Sequence, residues 1–344
     1  VFIHQLFAGG SFGRRASSMS DDVLEAVAIA KVIARSGKHD IPVKLVWARE
    51  DDMTGGYYRP AYLHTLSAGL DARGDVVGWQ HRIVGQSITE GTSMAAMTTK
   101  DGIDQTSVEG ASNLPYAIAN LAVDLHTPSI GVPVLWWRSV GSTHTAYSTE
   151  TLIDELAAAA GKDPVAFRTA LLAGKPRHLR VLALAAERAG WGQPLAPGKT
   201  GQKRGRGVAV HESFNTYVAQ VAEVTVDAGN RLRVDRVVCA VDCGLAVNPD
   251  VIRAQMEGGI GFALAAALYG EITLKDGVVE QTNFHQYQVL RINEMPQVDV
   301  HIVPSTDAPS GVGEPGVPPL APAVANAIAA ATGKRLRTLP FRLA

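Results

Sequence analysis

Hairpin signals and helical segments alternate irregularly along these 344 residues. That irregularity excludes a doubly wound parallel sheet, which needs regular strand–helix alternation, and predicts an α+β fold. Segments 62–70 and 76–84 flank Asp71-Ala72-Arg73-Gly74 and read as a hairpin. A second hairpin is expected from 217–226 and 232–240, turning at Asp227-Ala228-Gly229-Asn230. Further strands are expected over 1–8, 43–48, 120–127 and within 280–303. Helices are expected over 20–36, 145–160, 177–189, 248–268 and 319–332. Ser20, Asp163-Pro164 and Asn248-Pro249 supply helix starts, and Gly37, Gly161 and Gly333 supply stops. The helix over 20–36 is apolar on most faces, which predicts that it is buried. Residues 86–112, rich in Gly, Thr, Ser and Met, read as a long loop with short helical turns at a substrate funnel.

Residues 191–206, WGQPLAPGKTGQKRGR, read as a linker between a first lobe, 1–190, and a second, 207–344. Within the helix over 248–268 stand Gly258, Gly259 and Gly261. Internal glycines cost about 1 kcal/mol each relative to alanine. Three together point to close approach of another backbone or of a cofactor.

Composition narrows the function. Charged residues are 19% of the chain, below the roughly 25% of an average soluble domain, as expected for a surface partly buried against partners. The formal net charge of -1 lacks the basic excess of a nucleic-acid binder. No unbroken apolar run reaches the ~18 residues of a membrane span. Cys239 and Cys243 are expected as buried thiols, because a metal site needs more soft ligands nearby. His4, His144 and His211 lack metal-ligand spacing and read as packing or hydrogen-bonding groups. Ser11 and Ser139 lack a nucleophile-elbow context. The chain opens directly into an apolar run at Val1, so residues upstream of it are expected.

Four segments have the residue types that chemistry needs. Gly9-Gly10-Ser11-Phe12-Gly13-Arg14-Arg15 can aim backbone amides at an anion; a strand-to-helix turn without a ligand has the same signature. Trp136-Trp137-Arg138-Ser139-Val140-Gly141 sets a guanidinium fork among aromatics, for an oxo group, a carboxylate or an acid of its own fold. Gln255-Met256-Glu257-Gly258-Gly259 offers a carboxamide in a glycine-rich helix, either as a cofactor contact or as a polar helix face. Gly311-Val312-Gly313-Glu314-Pro315-Gly316-Val317-Pro318-Pro319 holds one carboxylate in a stiff apolar loop without a sequence-adjacent charge. Such a group is a general-base candidate, unless it is merely an exposed loop glutamate.

In this order the four segments resemble the molybdopterin-binding subunit of molybdenum hydroxylases, the xanthine dehydrogenase and aldehyde oxidase superfamily. The resemblance covers nearly the whole chain. It rests on GGSFGRR, WWRSVGSTHTAYSTETLIDELA, DCGLAVNPDVIRAQMEGGI and VGEPGVPPLAPAVANAI, and the branch it points to is that of the isoquinoline 1-oxidoreductase beta subunit. It implies a two-lobed molybdopterin-binding architecture, with this chain as the C-terminal half. It also implies hydroxylation or oxidation of an aldehyde or N-heterocycle with oxygen from water. Glu314 would be the catalytic base and Arg138 the pocket arginine. Gly10, Ser11, Phe12, Gly13, Trp137, Arg138 and Gln255 would line the cofactor, and the molybdenum itself would be held by the pterin.

The family's G-Q-G loop and its Gly/Ser-rich phosphate segment have no match here. The resemblance therefore implies that another chain, or an N-terminal half, completes the site. It further implies a cytosine dinucleotide form of the pterin, a small subunit with [2Fe-2S] clusters, a cytochrome c or other electron acceptor, and a periplasmic setting. The competing readings are a phosphate-binding module, a non-catalytic scaffold subunit and a hydrolase. GGSFGRR lacks the Lys-Ser/Thr pair of the first. Glu314 is present where a scaffold would be expected to have lost it. No base–nucleophile pair is visible for a hydrolase.

Overall fold

The computed structural model describes residues 2–4, 6–7 and 9–343. Its longer helices are α1 (Asp21–Arg35), α2 (Arg49–Thr54), α3 (Ser142–Ala159), α4 (Pro164–Leu171), α5 (Pro176–Arg188), α6 (Pro249–Leu268) and α7 (Leu320–Thr332). The longer strands are β1 (Tyr62–Leu70), β2 (Val76–Gly85), β3 (Leu121–His126), β4 (Lys203–Ser213), β5 (Thr216–Val226), β6 (Leu232–Asp242) and β7 (Gln297–Ile302). The fold is mixed helix and sheet, as the irregular alternation predicts.

A three-stranded sheet runs β1-β2-β3, antiparallel between β1 and β2 and parallel between β2 and β3. A four-stranded sheet runs β7-β6-β5-β4. Its strands pair antiparallel except β7, which lies parallel to β6. Successive side chains of a strand point to opposite faces, and β6 shows it. Val237, Cys239 and Val241 join the core with α6 and α7, while Val238 and Ala240 join the core with α3 and α5. A sheet covered on both faces buries both sides of its strands, and ten of the eleven residues of β5 are buried.

Strand β4 begins at Lys203, inside the stretch read as a linker. Gly205 and Gly207 lie against the backbone of α7: a Cβ on Gly207 would meet the Ala327 nitrogen at 2.1 Å. The glycines that look like linker composition are what lets a helix lie directly on a strand. The turn to β5 uses Phe214 and Asn215 at φ 54° and 59°, a hairpin geometry normally flagged by Asn-Gly. Helices α3 and α5, which precede 191–202, pack on the sheet that follows it.

Other expectations fail for physical reasons. The described residues of 1–8 form no strand, and neither do 43–48; a strand needs a partner's ladder, and none of the described strands pairs with either segment. Within 280–303 only β7 is a strand; Thr282 and Asn283 there make local side-chain bonds that compete with a ladder. Helix α1 forms where expected but buries none of its residues, leaving Leu24 and Val32 exposed. Ser20 does not cap it, because its backbone is left-handed at φ 48° and its side chain makes no cap bond.

By contrast, Asp163 and Asn248 each accept two backbone amides at the starts of α4 and α6. Helix α6 is long and apolar enough to cross a membrane by length and composition. Its Ile252, Met256, Ile260 and Leu264 are all packed in the core, which accounts for that apolarity. Cys239 and Cys243 are free and buried, and burial pushes the Cys239 thiol up to about 12.

Candidate active site

Three of the four chemistry-bearing segments meet at Arg138. Its Nε donates to the Gly313 carbonyl at 2.8 Å, and its Nη2 donates to Gln255 Oε1 at 2.9 Å and again to Gly313. One side chain thus ties the 136–141 turn to α6 and to the 311–318 loop. Burial lowers the Arg138 pKa, and the Glu314 charge works in the opposite direction. The guanidinium expected to face a ligand therefore spends most of its fork inside the fold, with only Nη1 lacking a hydrogen bond to the described residues.

The next residue positions the carboxylate. Ser139 N donates to Glu314 Oε1 at 2.9 Å, and Ser139 Oγ donates to the Glu314 carbonyl at 2.6 Å. Both bonds depend on an unusual turn, with Ser139 at φ 76° and Val140 at φ 48°. A β-branched residue in the left-handed region is strained, and strain of this kind concentrates at functional sites. Gly141 follows because a Cβ there would meet the Thr106 carbonyl at 1.9 Å. Glu314 is partly exposed, between buried Pro315 and Gly316 and open Gly313.

Of the three glycines of α6, only Gly259 meets another backbone; a Cβ on Gly258 would lie 3.9 Å from Arg138 Nη1, and one on Gly261 would lie 3.3 Å from the Met295 sulfur. A Cβ on Gly259 would meet Gly316 at 3.2 Å, and one on Gly316 would meet Met256 at 3.2 Å, so helix and loop are in backbone contact. Buried Gln220 of β5 fixes the same loop by donating to the Gly316 carbonyl at 2.8 Å. Gln220 was not anticipated, because a single glutamine in an apolar strand has no motif around it.

The fourth segment closes the group. Gly10 and Gly13 are left-handed, at φ 107° and 106°, and a Cβ on Gly13 would meet the Trp136 carbonyl at 2.4 Å. Phe12 stacks on Phe262 of α6 at 5.3 Å, and Trp137 meets the same ring at 4.6 Å. Phe262 was also missed, since one aromatic on an apolar helix reads as core.

A second carboxylate lies nearby. Glu109 Oε1 accepts the Ser142 amide at 3.1 Å, and burial, with a contribution from the Glu314 charge, pushes its pKa up to about 7.

The donors fit an anionic organic cofactor. The amides of Gly10 to Gly13, the Gln255 NH2 and Arg138 Nη1 make no hydrogen bond among the described residues. No group of three or more His, Cys, Asp or Glu among the described residues could hold a metal ion.

Residues 1–171 and 149–296 match two molybdopterin cofactor-binding domain families. The chain belongs to the molybdopterin cofactor-binding family of the molybdenum hydroxylases. Within it, the chain is 33% identical over 342 residues to isoquinoline 1-oxidoreductase subunit beta of Brevundimonas diminuta, covering 99% of this chain and 42% of that protein. It is 30% identical over 365 residues to a membrane-bound aldehyde dehydrogenase [pyrroloquinoline-quinone] of Gluconacetobacter polyoxogenes, covering 99% and 46%. The fold matches quinoline 2-oxidoreductase of Pseudomonas putida 86 with a TM-score of 0.78 at 14% identity, over 96% of this chain and 66% of that one. The chain spans less than half the length of these two curated relatives.

Proposed function

We propose that this chain forms one wall of the molybdopterin site in a molybdenum-dependent oxidoreductase acting on an aldehyde or an N-heterocycle, with water as the oxygen source. The observation that carries the reading is the Glu314 carboxylate, held by Ser139 where the four segments converge. When bound, the cofactor supplies the two-electron chemistry. Glu314 keeps one oxygen on the Ser139 amide and uses the other to take a proton from water as a general base. Arg138 holds the base loop and α6 in register. Gln255 and the amides of Gly10, Ser11, Phe12 and Gly13 hold the cofactor, with Phe12 and Trp137 as its aromatic border.

A further polypeptide, an N-terminal half or a second molybdopterin-binding chain, supplies the rest of the cofactor site. Exposed Phe2, Ile3, Phe7, Leu24 and Val32 support such a covering partner. The cofactor is the cytosine dinucleotide form. A small subunit with [2Fe-2S] clusters, and a cytochrome c or another acceptor beyond it, would take the electrons, and the assembly would be periplasmic.

The test is Glu314→Gln in the assembled enzyme. General-base catalysis contributes about 10²–10⁴-fold, so turnover falls by at least about 100-fold while molybdenum content stays normal. Activity within about tenfold of the parent overturns the base assignment. A preparation carrying a quinone cofactor and no molybdenum overturns the reaction class.

A further inference from the structure

Beside Trp137 lies a recess bounded by Arg59, Tyr62, Trp137, Val140, Thr143 and His144. Its free volume is about 20 Å³. On that measure one water needs about 10–15 Å³, so the recess takes one or at most two oxygen-sized atoms and excludes a ring.

On its wall stand a guanidinium with no acidic partner among the described residues and a ring nitrogen with no hydrogen bond. The Arg59 guanidinium lies 4.0 Å above the Trp137 ring and donates to Thr143 Oγ1 at 3.2 Å. That hydroxyl is itself committed, donating to the Val140 carbonyl at 2.8 Å. No carboxylate among the described residues forms an ion pair with Arg59, although its side chain keeps accessible surface. Desolvation by the surrounding protein lowers its pKa to about 10, which still leaves it cationic at neutral pH. His144 gives its Nδ1 to a 3.1 Å bond with His64 Nε2, and its Nε2 is buried without a partner. The fold leaves a cation and an orphaned ring nitrogen on one recess. The Arg138 and Ser139 contacts that place Glu314 follow directly in sequence from Trp137.

We propose that Arg59 and His144 form an anion subsite that receives the carboxylate of an aromatic substrate and so determines specificity. A planar guanidinium can bind a carboxylate through two parallel hydrogen bonds, and the neutral imidazole donates from Nε2 when His64 donates to its Nδ1. The inference rests on the proposed oxidoreductase reading and narrows its substrates to acids over neutral analogues.

Isothermal titration of the holoenzyme with benzoate and with neutral benzamide tests it without turnover. Benzoate binds more tightly than benzamide, and Arg59→Met weakens benzoate at least about tenfold while leaving benzamide unchanged. Arg59→Gln, which keeps a polar side chain without the charge, gives the same result if the methionine variant fails to assemble. Equal affinity for the two ligands, or unchanged benzoate affinity in the variants, overturns the proposal. Displacement of benzoate by inorganic phosphate also overturns it, because the recess would then be a seat for a cofactor phosphate. If benzoate binding is independent of Arg59 in a molybdenum-loaded enzyme that needs Glu314, only the subsite fails. If that binding depends on Arg59 in protein free of molybdenum, only the oxidoreductase reading fails.

Discussion

Ser139 holds Glu314 at both ends, its amide on the side-chain Oε1 at 2.9 Å and its hydroxyl on the main-chain carbonyl at 2.6 Å. The two residues are 175 positions apart in sequence. The contact fixes both the direction of the carboxylate and the position of its loop, which proximity catalysis requires.

Replacing Ser139 with alanine removes one of these bonds and keeps the other. Loss of a buried hydrogen bond of this kind costs about 1 kcal/mol of stability. A similar loss in aiming the base lowers kcat by about fivefold, since 1.36 kcal/mol is a factor of ten. Thermal melts and kcat per bound molybdenum measure the two effects. An unchanged kcat would show that the carbonyl contact does not position the base.

Glu150 of α3 is the centre of a buried network. It accepts Arg168 Nε at 2.9 Å, the Tyr116 hydroxyl, and the Val210 amide at 3.0 Å from β4. Arg168 is fully buried. Breaking a buried pair by removing one partner costs about 3–5 kcal/mol. Glu150→Ala should lower the urea midpoint accordingly or abolish soluble expression, and a shift below about 1 kcal/mol contradicts the network's role.

Gly207 separates β4 from α7 by less than a methyl group. Gly207→Ala overpacks that contact and costs about 1–3 kcal/mol or more. Gly192 is the control, because a Cβ placed there would meet nothing within 4 Å and its φ is not positive. Gly192→Ala should leave the melting temperature unchanged. Equal melting of the two variants would remove the close-contact explanation for the glycines of β4.

Glu109 gives the chain a pH-dependent stability. Burial raises its pKa from 4.5 to about 7 in the folded state. Between those values the native state holds a proton that the unfolded state has released. Stability therefore falls as pH rises from 4.5 and levels off above 7, by at most about 3 kcal/mol. Glu109→Gln removes that loss, so the variant gains on the parent between pH 4.5 and 8. Parallel melting curves of both proteins across this range would refute the buried-acid assignment.

Much of the second half was legible in the sequence because its signals are local. Asn248-Pro249 starts α6, Gly333 ends α7, and Asp227 to Asn230 turns β5 into β6, each through bonds made within a few residues. The glycines of α6 also announced a close contact, though not that its partner would be Gly316. The 191–206 stretch misled because glycine has one appearance in sequence and two uses in space. A flexible link and a strand under a helix both need a residue without a Cβ.

The sequence by itself determined the mixed α+β class, most of the helices, both hairpin turns and four segments able to do chemistry, since caps, turns and periodicity act over a few residues. Only the tertiary structure decided what those groups face. It alone brought Ser139 to Glu314, committed Arg138 to Gly313 and Gln255, and left Arg59 without an acid among the described residues. Hydrogen bonds and charges act over a few ångströms of space, and pairs 100 or more residues apart come within that range only when the sheets and helices pack.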